Sequence, residues 1–328
     1  MIVRNFLKHM IVCVTICIVF TIATILNCNI DNRFPSEANT RLAVNESLHN
    51  AAPVNFKLSD TVVGREGIND SLFSDCYYAL FIDETDNVVY AAKNAHTRMY
   101  PASMTKLMTA IIVAEKIESG QISENDIVTV SHHYDLTYEG VGPCELQTGS
   151  QISVKDLLYG LLIQSNNYYG LILAEYISSD VSSFCTLMNE KALEIGATNT
   201  HYVNPHGLDN SDHYSTAYDT YLVIKEAYTH EIIKQIDTCH EYSYTYYNSA
   251  GVPIETDISA TNLFYRGNVT LPSNYEIAVW KTGTTDGAGN CLVLLLTKDG
   301  HEYVAVASNG ESKKALYDAI IKLLCLVS

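Results

Sequence analysis

Apolar and polar positions divide this chain into three regimes. Residues 10–26 form a charge-free, apolar-dominated run of seventeen, preceded by Arg4 and Lys8. A run of that length sits at the lower limit for spanning a bilayer and on the long side for a secretory signal core. No small-x-small cleavage site follows. Residues 1–28 are therefore expected to be a signal peptide or an N-terminal membrane anchor, with the basic flank on the cytoplasmic side and the body exported. Residues 29–70 are polar with few periodic runs and read as a linker. From residue 71 the pattern becomes that of a folded domain, 71–328.

Within that domain, apolar runs predict strands at 77–82 and 88–92 around a polar turn at 83–87. A helix is predicted to open near Ala102, with Leu107, Met108, Ile111, Ala114 and Ile117 recurring at helical spacing. Residues 156–163 are apolar almost all round, so that helix is expected to be buried, with Ser153 and Asp156 as its capping pair. Ser165-Asn166-Asn167 then interrupts the apolar pattern before a second helix over 168–177. Further on, 276–280 reads as a strand ending in Lys281-Thr282-Gly283. Strands at 291–296 and 303–308 flank Asp299-Gly300, a strong hairpin signal. A last helix over 313–327 carries a stripe of Leu316, Ile320, Leu323 and Val327, expected to pack on the sheet. Strands from both ends with a mostly helical middle, 103–230, imply an α+β fold: an antiparallel sheet flanked by helices, with a helical lobe inserted.

Three short motifs carry chemistry: Ser103-Met104-Thr105-Lys106, Ser165-Asn166-Asn167 and Lys281-Thr282-Gly283. Each is weak alone; all three in this order, each in a fitting local context, point to an active-site serine that forms an acyl-enzyme. On a helix, Lys106 shares a face with Ser103, three residues earlier. A lysine that is partly desolvated and flanked by other cations can lose its proton near neutral pH and take the serine proton. Three polar residues breaking a buried helical pair need partners, which an active site supplies. Gly283 would let the backbone approach a substrate closely.

The chain resembles a low-molecular-mass penicillin-binding protein of the D-alanyl-D-alanine carboxypeptidase family, in the serine β-lactamase-like superfamily. The resemblance rests on residues 100–110, 146–177, 203–219, 261–264 and 280–297 in family order. It implies a transpeptidase-like fold and a serine hydrolase that removes the terminal D-alanine from peptidoglycan stem peptides and is acylated by β-lactams. By the same resemblance Ser103 is the nucleophile and Lys106 its base. Ser165 relays a proton to the leaving amine, and Asn167 bonds the substrate and steadies Lys106. Lys281 adds positive charge, Thr282 and Thr284 bind the substrate carboxylate, and the N–H groups of Ser103 and Thr284 form the oxyanion hole across Gly283. Many relatives add a β-rich C-terminal domain, and none is expected here. Two departures stand out. Asn166 and Tyr168 replace the smaller Gly and Asp of many relatives, and no arginine follows Arg266 where many relatives carry one for the carboxylate. Lys313 is a candidate substitute.

Composition narrows the partners. A formal net charge of −17 makes nucleic acid an unsuitable one. Three of nine cysteines lie at or before residue 28, and the other six are scattered without C-x-x-C pairs, as expected of buried free thiols. The adjacent His132 and His133 lack metal-ligand spacing, so neither a metal nor a cofactor is expected. His206 is read as a structural loop residue. The alternatives are a β-lactamase, disfavoured by the absence of Ser-Asp-Asn, and a wall-binding or regulatory homologue with weakened catalysis. The expected partners are D-Ala-D-Ala stem peptides, β-lactams and the cytoplasmic membrane, and the expected location is its outer face, or the medium if the leader is cleaved.

Overall fold

The protein is described by a computed structural model over residues 75–327. The signal-or-anchor segment 1–28 and the linker 29–70 lie outside the described residues. No helix among the described residues is long and apolar enough to cross a membrane.

The main sheet has five antiparallel strands: β1 (Cys76–Asp83), β2 (Val88–Lys93), β7 (Glu276–Thr285), β8 (Gly289–Lys298) and β9 (His301–Gly310), in the order β2-β1-β9-β8-β7. The middle strands β8 and β9 are buried over nearly continuous runs, the signature of a sheet covered on both faces. Helices α5 (Ala217–Ala227) and α7 (Lys313–Leu324) both pack against β9. Leu316, Ile320 and Leu323 supply the buried stripe of α7, as the spacing predicted, but the helix ends at Leu324 and Val327 lies beyond it, half-buried. The Asp299-Gly300 turn joins β8 to β9, and both residues have positive φ, 51° and 84°. That geometry matches the right-handed twist of the flanking strands.

The inserted lobe holds α1 (Thr105–Glu118), α2 (Val154–Tyr159), α3 (Asn167–Ser178), α4 (Val181–Glu194) and α6 (Glu231–Asp237). It also holds a second, four-stranded antiparallel sheet that the hydrophobic pattern did not flag: β3 (Ile127–Thr129), β4 (Gln151–Ser153), β5 (Glu241–Tyr247) and β6 (Pro253–Ser259). β3 and β4 are too short to show a period. β5 alternates tyrosines with Glu, Ser and Thr, and β6 has only Ile254 and Ile258 as aliphatic residues among Glu255, Thr256, Asp257 and Ser259. Two further expectations change. β7 runs through Lys281-Thr282-Gly283 to Thr285 instead of stopping at Trp280. Helix α1 is buried on every side from Thr105 to Ala114, not along one stripe. All six described cysteines are free, but Cys239 is half-buried and Cys325 exposed.

One tight contact positions the helix start. Ala102–Met104 forms a single 3-10 turn ahead of α1, and it packs against β7. Ala102 adopts φ +47°, a left-handed conformation that costs a residue with a Cβ on the order of 1–2 kcal/mol. Two glycines make room for it. A Cβ on Gly283 would stand 2.9 Å from the Ala102 Cβ and 3.0 Å from the Ser103 nitrogen. A Cβ on Gly207, whose φ is +90°, would stand 1.9 Å from the Ala102 carbonyl oxygen. Gly283 thus admits the serine turn, a role beside the close approach of substrate that the sequence suggests. Gly207→Ala is expected to destabilise the protein by at least about 2 kcal/mol, since backbone must move and φ is unfavourable. Gly120→Ala, also at positive φ but in open space, should cost only about 1 kcal/mol. Urea unfolding of the two variants compares them; equal losses would contradict the clamp.

Candidate active site

The start of α1 presents Ser103 half-buried at the lobe–sheet boundary and Lys106 wholly buried behind it. The Lys106 Nζ has three neighbours at hydrogen-bond distance: Ser103 Oγ at 2.8 Å, Asn167 Oδ1 at 2.6 Å and the His206 carbonyl oxygen at 2.7 Å. Carbonyl oxygens of these kinds only accept. A neutral amine has two N–H groups and one lone pair. Donating to Asn167 and His206 uses both hydrogens and turns the lone pair towards the Ser103 hydroxyl. The electrostatics favour the same state. Burial, and then the Lys281 charge, hold the Lys106 pKa well below the ordinary lysine range.

Asn167 reaches Lys106 because of an irregular turn. α2 continues into a π-helical turn, Gly160–Gln164, and ends on Ser165 in the left-handed conformation, φ 65°. The Tyr169 ring occupies the space a Cβ on Gly160 would need, 2.3 Å from the Tyr169 Cε2. Asn166 then caps α3, its Oδ1 accepting from the Tyr168 N–H at 3.0 Å. The Tyr168 hydroxyl accepts from the Leu136 N–H at 3.2 Å and donates to the Gly142 carbonyl at 2.8 Å. The two residues that depart from the family pattern therefore hold the Ser165 turn and the loop above it.

Across the cleft, β7 is an edge strand and carries Lys281, Thr282, Gly283 and Thr284. Lys281 is fully buried; desolvation lowers its pKa to about 7, opposed by the Asp237 carboxylate. Asp237, at the end of α6, is itself buried and raised to about 7, chiefly by desolvation. Its Oδ2 accepts the Trp280 N–H at 2.9 Å, and its main-chain oxygen accepts Trp280 Nε1–H at 2.9 Å. A side chain thereby takes the place of a further strand at the β7 edge. Thr282 Oγ1 lies 2.6 Å from Thr261 Oγ1. Thr284 Oγ1 donates to the Gly283 carbonyl at 2.8 Å.

These elements enclose a cavity of about 260 Å³. Ser103, Ser165, Asn167, Thr282, Gly283 and Thr284 line it, with Lys106 and Lys281 buried behind the wall. All eight residues singled out in the sequence therefore converge on one place. Lys313 also borders the cavity, with an exposed side chain. Sequence reasoning missed three contributors. Asp237 has no local motif. Thr261 carries no signal of its own within 261–264. His206, read as structural, contributes through its main chain, while burial holds its ring pKa well below the ordinary range.

Comparison with known proteins decides the family. The sequence profile of the D-alanyl-D-alanine carboxypeptidase family, peptidase S11, matches residues 74–312. The chain belongs to this family. It is similar to the D-alanyl-D-alanine carboxypeptidase DacF of Bacillus subtilis, 31% identical over 246 residues, covering 75% of this chain and 60% of the relative. It is also similar to DacC of Escherichia coli, 30% identical over 273 residues, covering 82% of this chain and 65% of the relative. The chain thus spans under two thirds of the length of these carboxypeptidases. The fold is that of the DD-transpeptidase of Streptomyces K15, with a TM-score of 0.68 at 22% identity over 77% of this chain and 96% of that one. Penicillin-binding protein 5 of Haemophilus influenzae superposes with a TM-score of 0.66 at 26% identity, covering 76% and 70%. The expected β-lactamase/transpeptidase-like fold is therefore present, and the three motifs of this carboxypeptidase-family chain meet in one cleft.

The Asp237–Lys281 pair carries a pH prediction. Asp237→Asn removes the negative charge that supports the Lys281 ammonium, so the Lys281 pKa falls below about 7. A charged Lys281 is then lost sooner as pH rises. The alkaline limb of the pH profile for acylation by benzylpenicillin should move to lower pH, while the acid limb, set by Lys106 protonation, moves less. An unmoved alkaline limb would mean that Asp237 only fills space.

Proposed function

We propose that this chain is a serine-type D-Ala-D-Ala carboxypeptidase acting on peptidoglycan stem peptides, and that β-lactams acylate the same serine. The observation that carries the reading is Lys106: a buried amine with two obligate acceptors and the Ser103 hydroxyl around it.

The steps follow from the groups in place. Ser103 Oγ attacks the carbonyl between the two terminal D-alanines, and its proton passes to the Lys106 lone pair. The Ser103 and Thr284 N–H groups face the developing oxyanion; one such donor contributes about 3 kcal/mol to the transition state. The Lys281 charge with the Thr282 and Thr284 hydroxyls receives the substrate carboxylate. The proton returns through Ser165 to the leaving amine, and free D-alanine departs. Water, deprotonated by Lys106, then cleaves the Ser103 ester and releases the shortened peptide as its acid. A β-lactam opens on Ser103 by the first half of this sequence. The apolar run at 10–26, outside the described residues, suits export and a tether that would keep the domain outside the cytoplasmic membrane, near its substrate.

D-Alanine release from an acyl-L-Lys-D-Ala-D-Ala peptide tests this directly. The parent protein should release D-alanine and label covalently with fluorescent penicillin. Ser103→Ala should lose both, and Lys106→Ala should lose at least about a thousandfold in acylation rate. Penicillin still bound covalently to Ser103→Ala would overturn the nucleophile. Fast β-lactam hydrolysis without D-alanine release would make the protein a β-lactamase instead.

A further inference from the structure

Away from the Ser103 cavity, the last turns of three helices carry four neighbouring glutamates: Glu115 and Glu118 on α1, Glu194 on α4 and Glu226 on α5. The C-terminal end of a helix already bears partial negative charge, so carboxylates there are disfavoured unless a cation answers them. Two lysines of the same turns face elsewhere: Lys116 donates to the Gln121 side chain, and Lys225 pairs with Glu84. Among the described residues, Lys191 is the cation that stands between the glutamates. Its Nζ lies 2.8 Å from Glu115 Oε1, 2.9 Å from Glu194 Oε1 and 2.7 Å from Glu226 Oε1. One ammonium does not balance four carboxylates.

His230, at the start of α6, completes the group. It is buried, with 5% of its surface exposed. Its Nδ1 lies 3.0 and 3.1 Å from the two Glu118 oxygens. In the neutral ring this contact is an N–H donated to a carboxylate, which leaves Nε2 as the bare acceptor. Nε2 is buried and has no hydrogen-bond partner among the described residues. A ring nitrogen of His230 and one oxygen each of Glu115 and Glu226 lie within 4.8 Å of one another. Lys191 engages Oε1 of both glutamates and leaves Oε2 of each for another cation. An imidazole held by one carboxylate and offering its second nitrogen beside two others is the arrangement found around bound metal ions.

We propose that Glu115, Glu226 and His230 bind a divalent transition-metal cation of the Zn²⁺ class, with Glu118 orienting the imidazole. Mixed nitrogen and oxygen donors suit Zn²⁺, whereas Mg²⁺ and Ca²⁺ take oxygen ligands. Bonds of about 2.1 Å require the three donor atoms to draw together to about 3.4 Å. Glu115 and Glu226 are partly exposed and can turn that far. The bound cation ties the C-terminal ends of α1 and α5 to the start of α6. α1 carries Lys106 at its other end, and α6 ends on Asp237 behind Lys281. The site is therefore a staple between elements that place the two lysines, and none of its ligands borders the Ser103 cavity.

Metal content and thermal unfolding of the full chain test this. Protein stripped with EDTA and then dialysed against ZnCl₂ should retain one Zn²⁺ per chain. Zn²⁺ at about a hundredfold over its Kd should raise Tm by roughly 5–10 °C, and Mg²⁺ should not. Glu115→Gln and Glu226→Gln keep an acceptor for Lys191 but lose the ligand charge. These two variants and His230→Gln should each lose the retained Zn²⁺ and the rise in Tm, while still labelling with fluorescent penicillin. Glu194→Gln, which touches Lys191 but lies outside the group, should keep both. The two glutamate variants carry the test if His230→Gln fails to fold. A parent that retains no Zn²⁺, or variants that retain as much as the parent, would overturn the site. An equal rise in Tm with Mg²⁺ would overturn the assignment to the Zn²⁺ class.

Discussion

Two lysines buried beside one serine set the terms for the rest of this structure. Lys106 and Lys281 are both fully enclosed. Taking an ammonium out of water disfavours its charged form, and a second cation nearby disfavours it further. The two side chains resolve this differently. Lys106 is surrounded by acceptors and one hydroxyl, and burial holds its pKa well below the ordinary lysine range. Lys281 has the Asp237 carboxylate behind it and keeps more of its proton affinity. One base and one cation thus arise from the same residue type, separated only by their surroundings.

The fold serves that separation. An all-round buried helix carries Lys106 into the dry interior, and an edge strand carries Lys281 to the same place. The left-handed turn at Ala102 joins them at the serine, and it exists only because Gly207 and Gly283 leave space. A second irregular turn, the π-helical end of α2, brings Asn167 to the Lys106 amine. Ala102 and Ser165, two of the eight non-glycine residues with positive φ among the described residues, stand where functional groups converge, a usual location of backbone strain.

Much of this was legible in the sequence because the chemistry sits in short local patterns. Ser103 and Lys106 share a helix face by their spacing, and the resemblance to the family supplied the places of Thr282 and Thr284 beside Lys281. The main sheet was legible for the same reason: its strands are aliphatic and bounded by turn residues, as at Asp299-Gly300. The second sheet was not, since β3 and β4 span three residues each and the inner face of β5 is made of tyrosines instead of aliphatic residues. Contributors that act through space also escaped. Asp237 meets Trp280 across 43 residues, and the His206 carbonyl meets Lys106 across 100. No window along the chain contains both partners. Asn166 and Tyr168 stand out in the sequence as departures from the family pattern, and become intelligible only with the cap and the loop contacts they make.

The central claim is that Lys106 stands as a neutral amine beside Ser103 at neutral pH. NMR titration of the lysine Nζ signals, with Lys106 assigned through Lys106→Gln, measures this without reference to any substrate. The Lys106 signal should report a neutral amine at pH 7 and titrate far below the ordinary lysine value of 10.5. An ammonium that persists up to that value would contradict the claim and leave Ser103 without its base.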